Sequence, residues 1–450
     1  MTEAGLGLTL WYGAVAGSQG NRRLAWWCAL SNPFWYLVLF GIVTGATGLE
    51  ERSYIRDLAR QVAAIAASEQ NQAIIRRWRD VNALRKPDRW PVWCRPVAAW
   101  QEILPKASLR STDNRLRAIE YGFRQTLLKH EIGDDTPVDP YFAVEAVFDI
   151  DPPDMYGVQV ARHRPAEAGG AWSYDPPIKS MADLDKLRLP TYTYNHARTQ
   201  EELSRADELL GDILPVRLVC PPPWHATLCS PAAELRGLAE MMLDLADQPE
   251  LVHRLMAYLR DWLLSAMQQV QATGLLTPNN TGPMTCSDPV GTVPADGKVT
   301  YRNCWCMANS QEFDQVSPAM WKEFLLNYQK PIFERFGAVC YGCCENLSRK
   351  IDGVLSIPNL RIFVCSAWTN LDTVIEKVGK KHVIMWRQKA SDVVFPDDVA
   401  TLRRQLDEGM RKLQGHHVQI VLRELQTLAG HPDRLHVWTK LAIEAAEKYV

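Results

Sequence analysis

The chain has 450 residues, with 50 basic and 52 acidic side chains and a net charge of −2, so no global field draws it to nucleic acid. A composition 47% hydrophobic and 23% charged excludes a disordered or fibrous chain. Eleven cysteines are too sparse over this length for a secreted disulfide scaffold, so reduced thiols in a cytosolic setting are expected.

The N-terminus is the anomaly. From Leu24 to Leu49 run 26 residues without a charge, flanked by Arg22/Arg23 and Glu50/Glu51. That length could cross a bilayer. Ser31, Asn32 and Pro33 interrupt it, and the basic pair lies too far in for a secretory signal. Residues 1–52 therefore read as an apolar extension: a membrane anchor, a packed segment, or the product of a start codon set too far upstream. Residues 53–88 are helical by period, with Ile55, Leu58, Val62 and Ile65 on one stripe and Ile74, Ile75 and Trp78 on the next. From 89 to 450, short apolar runs alternate with longer helical ones. The expected strands lie at 91–94, 141–148, 214–220, 274–279, 303–308, 338–343, 360–365, 382–386 and 417–423. Helices between them include "AAELRGLAEMMLDLA", "PAMWKEFLLNYQKPIFERFG" and "DDVATLRRQLDEGMRKLQG". Such alternation implies parallel strands with crossover helices. About eight units in this span favour an α/β fold of the (β/α)8 barrel kind, with an N-terminal helical extension. Nine candidate strands are one too many. No Gly-rich phosphate loop follows a strand, which leaves a nucleotide-binding sheet without its main support.

Barrel enzymes place their chemistry at the C-terminal ends of strands. "ERFGAVCYGCCENLSRK" reads as a helix end, a stop at Gly337, a strand, and a loop on that face. Strand alternation, if regular, sets Tyr341, Cys343 and Glu345 on one side and Cys340, Gly342 and Cys344 on the other. Cys306 and Cys365 arrive on neighbouring units, whereas Cys28, Cys220, Cys229 and Cys286 read as packing. Trp93, Trp224, Trp305, Trp368 and Trp386 lie at or just past strand ends, which suits an apolar pocket with few polar anchors. Trp305, Trp368, Trp386 and Arg387 are the cofactor-binding candidates, with Lys389 near Arg387.

The segments "PVWCRPVAAWQEILP", "SQEFDQVSPAMWKEFLLNYQKPIFERFG", "ERFGAVCYGCCENL" and "VQIVLRELQTLAGHPDRLHVWTKLAIEAAEKY" resemble the uroporphyrinogen decarboxylase superfamily, from about Tyr54 to the C-terminus. The resemblance implies a (β/α)8 barrel. It also implies one of two activities: cofactor-free decarboxylation of a tetrapyrrole, or zinc-dependent methyl transfer through a corrinoid protein. The decarboxylase branch holds its substrate with several arginines in a motif running "MRQAGR" after "PVW"; here only Arg95 follows. That branch's catalytic aspartate falls near "GDDTPVDPYF", which offers Asp134, Asp135 and Asp139, of which Asp139 is the candidate. The methyltransferase branch carries His-x-Cys at the end of the strand occupied by "YGCCE", so Cys343 matches the cysteine and Tyr341 replaces the histidine. A later zinc cysteine would fall around "VQIVLREL", where there is none. A rebuilt zinc site would draw on Cys343, Glu345, Glu312 and Cys365, with His417 or Glu424 next. The expected activity is zinc-assisted methyl transfer between a small methylated substrate and a corrinoid protein. Catalytic duty falls to Tyr341, Cys343, Glu345, Arg95 and Asp139. Decarboxylation of a tetrapyrrole and a non-catalytic tetrapyrrole-binding barrel are the alternatives. Expected partners are the substrate, the corrinoid protein and a second copy of the chain as a homodimer, with no nucleic acid.

Overall fold

A computed structural model of the chain describes residues 33–164, 173–222, 226–292, 294–395 and 398–450, with side chains from residue 48 onward. Eight of its strands run in parallel ladders and are labelled here in chain order. They are β1 (Val92–Cys94), β2 (Phe142–Glu145), β3 (Val216–Val219) and β4 (Trp305–Ala308). The others are β5 (Ala338–Tyr341), β6 (Leu360–Cys365), β7 (Val383–Gln388) and β8 (His417–Leu422). Six form one parallel sheet in the order β1-β8-β7-β6-β5-β4, so the first strand pairs with the last and the sheet curls like part of a barrel. β2 and β3 form a separate parallel pair.

The ladder does not close into a full eight-stranded barrel among the described residues. The expected strand at 274–279 is the superfluous ninth, and Pro278 removes a ladder donor from it. The segment still bridges the gap: the Thr277 N–H donates to the Cys220 carbonyl at 2.9 Å. The Asn279 side chain meets the Trp305 backbone, accepting its N–H at 2.8 Å and donating to its carbonyl at 2.9 Å. At the other opening, carboxylates replace a strand. Asp135 accepts from the Val92 N–H at 2.7 Å and Asp134 from the Cys94 N–H at 2.9 Å. The expected strand 141–148 breaks after Glu145, and Phe148–Asp151 turns away to pair antiparallel with Thr191–Tyr194. The helical run around 232–246 splits at Gly237, whose φ is +94°.

Two apolar clusters show which way each strand residue points. Trp93, Trp305, Met307, Cys340, Ile362, Val364, Val383, Met385 and Val421 share one cluster with Ile74, Trp78 and Val81. Their sequence neighbours Cys94, Cys306, Tyr341, Phe363, Cys365, Ile384 and Leu422 join the cluster packed by the crossover helices. The period of 2 thus separates an inner sheet face from an outer one. The inner face is covered by α2 (Glu69–Asn82), which follows α1 (Pro33–Ala67) across a break where Ser68 accepts from the Asn71 N–H at 3.1 Å. Trp78 is fully buried, and its indole N–H donates to the Asp135 carbonyl at 2.6 Å. Truncating such a residue to alanine costs about 3–5 kcal/mol. Asp135 also anchors Arg77 at 2.6 Å and Arg89 at 2.6 Å, tying α2 to the start of β1.

Among the described residues no helix is long and apolar enough to cross a membrane. Residues 24–32 of the apolar run, and the side chains of 33–47, lie outside the described residues.

Candidate functional site

The site forms where β5 ends. The strand stops at Tyr341, and Gly342 takes φ +117°, a conformation that side-chain-bearing residues rarely adopt. A Cβ there would lie 2.8 Å from Val364 Cβ and 3.0 Å from Leu347 Cδ1, so the position also needs glycine for space. Past this turn, strand parity no longer applies. The expected shared face of Tyr341, Cys343 and Glu345 is therefore not formed. Tyr341 points outward among the helices: its hydroxyl donates to Gln329 Oε1 at 3.2 Å and accepts from the Trp321 indole at 3.2 Å. Cys343 and Cys344, expected on opposite sides, instead bring their sulfurs within 3.5 Å of each other.

Two neighbouring strands complete the cluster. Glu424, just past β8, holds φ +64°, a strained geometry for a residue with a side chain that costs about 1–3 kcal/mol. Its Oε1 accepts from the Cys344 thiol at 3.2 Å and from Arg387 Nη1 at 3.0 Å. Arg387 lies at an inward position of β7, 1% exposed, and the same Nη1 donates to the Cys343 carbonyl at 2.9 Å and lies 3.7 Å from its sulfur. Glu345, fully enclosed, accepts from the Cys343 N–H at 2.9 Å and the Ser310 N–H at 2.7 Å, which pins the turn.

The electrostatics separate the two thiols. The Cys344 thiol beside it, helped by Arg387 and Arg423 against the effect of burial, holds Cys343 well below the ordinary thiol range. Cys344 is pushed up by Cys343, by burial and by Glu424. Of the two thiols, Cys343 is thus the one that gives up its proton more readily and Cys344 the one that holds it. Burial, then the nearby Cys343 charge, raises the Glu345 carboxyl.

The ligand atoms of Cys343, Cys344 and Glu424 lie within 4.8 Å of one another. Two thiolates and a carboxylate suit zinc, and three protein ligands leave a position open, as catalytic zinc sites do. The charges also fit. Loading would displace the Cys344 proton, and a divalent ion with the Arg387 guanidinium would then balance three negative ligands. The donor set therefore fits the metal that the sequence resemblance implies.

The remaining expected residues fall elsewhere. Glu312 accepts from the Cys229 thiol at 2.9 Å and the Ser230 hydroxyl at 2.7 Å. Cys365 faces the outer helices, its thiol pushed up to about 12 by burial. Neither joins the grouped ligand atoms. His417 opens β8, at the opposite end of the strand from Glu424. Asp139 precedes β2 and accepts from the Thr281 hydroxyl at 3.0 Å, while burial raises its pKa. Asp134 is consumed by Lys129 and the Cys94 N–H, and Asp135 by Arg77 and Arg89. Trp305 is buried inside the sheet with its indole N–H on Ser287 Oγ at 3.0 Å. Trp386 faces outward, where a Cβ on Gly409 would come within 2.5 Å of its ring. Trp368 alone of the three is a rim residue, 60% exposed, with Lys389 Nζ 5.1 Å from its ring centre. Trp224 and His225 lie outside the described residues.

Arg95 follows directly on β1. Its N–H donates to the Leu422 carbonyl at 2.8 Å, which carries the ladder on from β1 and keeps Arg95 in phase with the inward Trp93. Arg387 joins it on β7, and Arg423 follows the inward Val421 by two residues. The alternating text "HVQIVLRE" already carried the signal for Arg423, since Gln419, Val421 and Arg423 share parity.

No protein-family model matches the chain, and no curated protein does. Among solved structures, a methyltransferase from Methanosarcina mazei is similar, with a TM-score of 0.46 and 12% identity over 84% of this chain and 98% of that one. At that distance the likeness carries no argument about chemistry.

Proposed function

We propose that the chain is a methyltransferase that moves a methyl group between a small methylated substrate and a corrinoid protein, with zinc held by Cys343, Cys344 and Glu424. The reading rests on the convergence of two thiols and a carboxylate within 4.8 Å at the C-terminal ends of β5 and β8. It draws also on the sequence resemblance, in which Cys343 occupies the zinc-cysteine position. Bound zinc would supply Lewis acidity to a thiol or oxygen of the substrate. The chain's own residues do the rest. Gly342 turns the backbone so that both sulfurs face one space, and Glu345 holds that turn through the Cys343 and Ser310 N–H groups. Arg387 bridges the Cys343 carbonyl and Glu424, fixing the two strand ends relative to each other. Exposed Trp368 and Lys389 on the rim offer a contact for the corrinoid protein.

Decarboxylation of an acidic tetrapyrrole is the second reading, favoured by the inward arginines at 95, 387 and 423. Against it, Asp134 and Asp135 are both consumed in buried ion pairs, and Asp139, the candidate, accepts from the Thr281 hydroxyl. Metal analysis of the purified chain should find about one zinc per chain, lost in Cys343→Ala. Failure to take up zinc on titration would sink the methyltransferase reading. Conversion of uroporphyrinogen to coproporphyrinogen at an ordinary enzymatic rate would establish the second reading instead.

A further inference from the structure

We infer that the unused guanidinium atoms beside the thiol pair form an oxyanion subsite: Arg387 and Arg423 hold a carboxylate or phosphate group of the small-molecule substrate. This deepens the proposed function by naming a substrate class, and rests on that reading only in treating the ligand as a substrate.

The observation is a pair of incompletely used guanidinium groups. Arg387 is 1% exposed, and among the described residues its hydrogen bonds all run through Nη1. Nε and Nη2, which form one edge of the guanidinium plane, are buried with no hydrogen-bond partner among the described residues. Nε of Arg423, a residue 9% exposed, is likewise buried without a partner. Buried N–H groups on a permanent cation are costly to leave unpaired, so natural structures rarely keep them without a reason. The free edge of Arg387 is a two-donor fork whose spacing matches two oxygens of one carboxylate or phosphate.

The fold brings the two residues to one place. β7 and β8 pair in parallel with Arg387 level with Val421, and Arg423, one residue past the end of β8, lies close enough to the same site to help hold the Cys343 thiol low. A strand spacing of about 4.8 Å and a two-residue rise of about 6.6 Å put the two Cα atoms roughly 8 Å apart. Two arginine side chains span that distance easily around one anion. With zinc on Cys343, Cys344 and Glu424, the ion and Arg387 would balance the three ligands and leave the Arg423 charge for an anion. Glu424 meets Arg387 through Nη1 alone, and Glu345 is occupied by backbone N–H groups. The free edge lies across the Arg387 guanidinium from Nη1, which holds the Cys343 carbonyl, so an anion seated there would lie one guanidinium's width from the thiol pair.

Binding can be measured by calorimetry and thermal unfolding of the full chain, zinc-loaded and metal-stripped, using succinate and inorganic phosphate as probes. Succinamide and sodium chloride at matched ionic strength are the controls. Saturable binding of succinate or of phosphate is expected, the successful probe showing whether a planar or a tetrahedral anion is preferred. Arg423→Gln should weaken it at least tenfold. Should that variant fail to fold, Arg423→Lys takes its place with the same expected loss, because lysine keeps the charge but lacks Nε. No saturable effect beyond the controls, in either form of the protein, would overturn the inference. So would wild-type affinity in a folded Arg423 variant. The metal reading fails separately: anion binding in a protein that takes up no zinc retains the subsite and removes the metal, and zinc uptake without anion binding does the reverse.

Discussion

Replacing Gly342 by alanine tests the feature on which the whole site depends. Two penalties add at this position. The backbone φ of +117° is strained for any residue with a Cβ, at a cost of at least about 1–2 kcal/mol. The new methyl would also lie 2.8 Å from Val364 Cβ and 3.0 Å from Leu347 Cδ1, both buried core atoms that cannot swing aside. Overpacking of that kind costs about 1–3 kcal/mol. The sum is about 2–5 kcal/mol, a large part of the 5–15 kcal/mol that typically separates folded from unfolded chains. Gly274→Ala isolates the first penalty, since Gly274 has φ +71° and nothing within 4 Å of its would-be Cβ. Urea unfolding followed by tryptophan fluorescence should show Gly274→Ala losing about 1–2 kcal/mol. Gly342→Ala should lose clearly more, and its zinc uptake should fall because the turn that joins the thiols is displaced. Equal losses in the two variants would refute the steric argument.

Other consequences are separately measurable. Cys344→Ala should lower zinc content whereas Cys365→Ala should leave it unchanged, because the Cys365 thiol faces the outer helices; metal analysis decides. In metal-stripped protein, a Cys343 pKa held below the usual thiol range means that its thiolate survives as pH falls through that range. Iodoacetamide should therefore label Cys343 at pH values where ordinary thiols, near 8.5, are slow. Arg387→Met should move that profile to higher pH, and a wild-type profile like that of a free thiol would contradict the assignment. Asp135→Asn should destabilise the chain by about 3–5 kcal/mol, since it leaves buried Arg77 and Arg89 without their shared carboxylate. A urea midpoint within error of wild type would show that the network carries little.

Much of the architecture was legible in the text of the chain because side-chain periodicity is a local property. Eight of nine expected strands form, and the alternation of Trp93 with Cys94, or Val364 with Cys365, sorts each strand into an inner and an outer face. The importance of "YGCCE" was also visible, since cysteines following a strand and a glycine are unusual. Parity misled where the backbone stopped being a strand. At Gly342 the chain leaves the pleat, so Tyr341 goes to the helix layer and the two thiols meet. Candidate ligands were drawn to Glu312 and Cys365 because both lie near strand ends, yet nearness in sequence to a mouth says nothing about which side of the sheet a side chain takes. Glu424 and Arg387 lie 80 and 44 residues from their contacts at Cys344 and Cys343, so only the parallel packing of β5 to β8 brings them to the thiols. Local pattern determined the strands, helices and faces; the junction of three strand ends, where the charges meet, was decided by the tertiary fold.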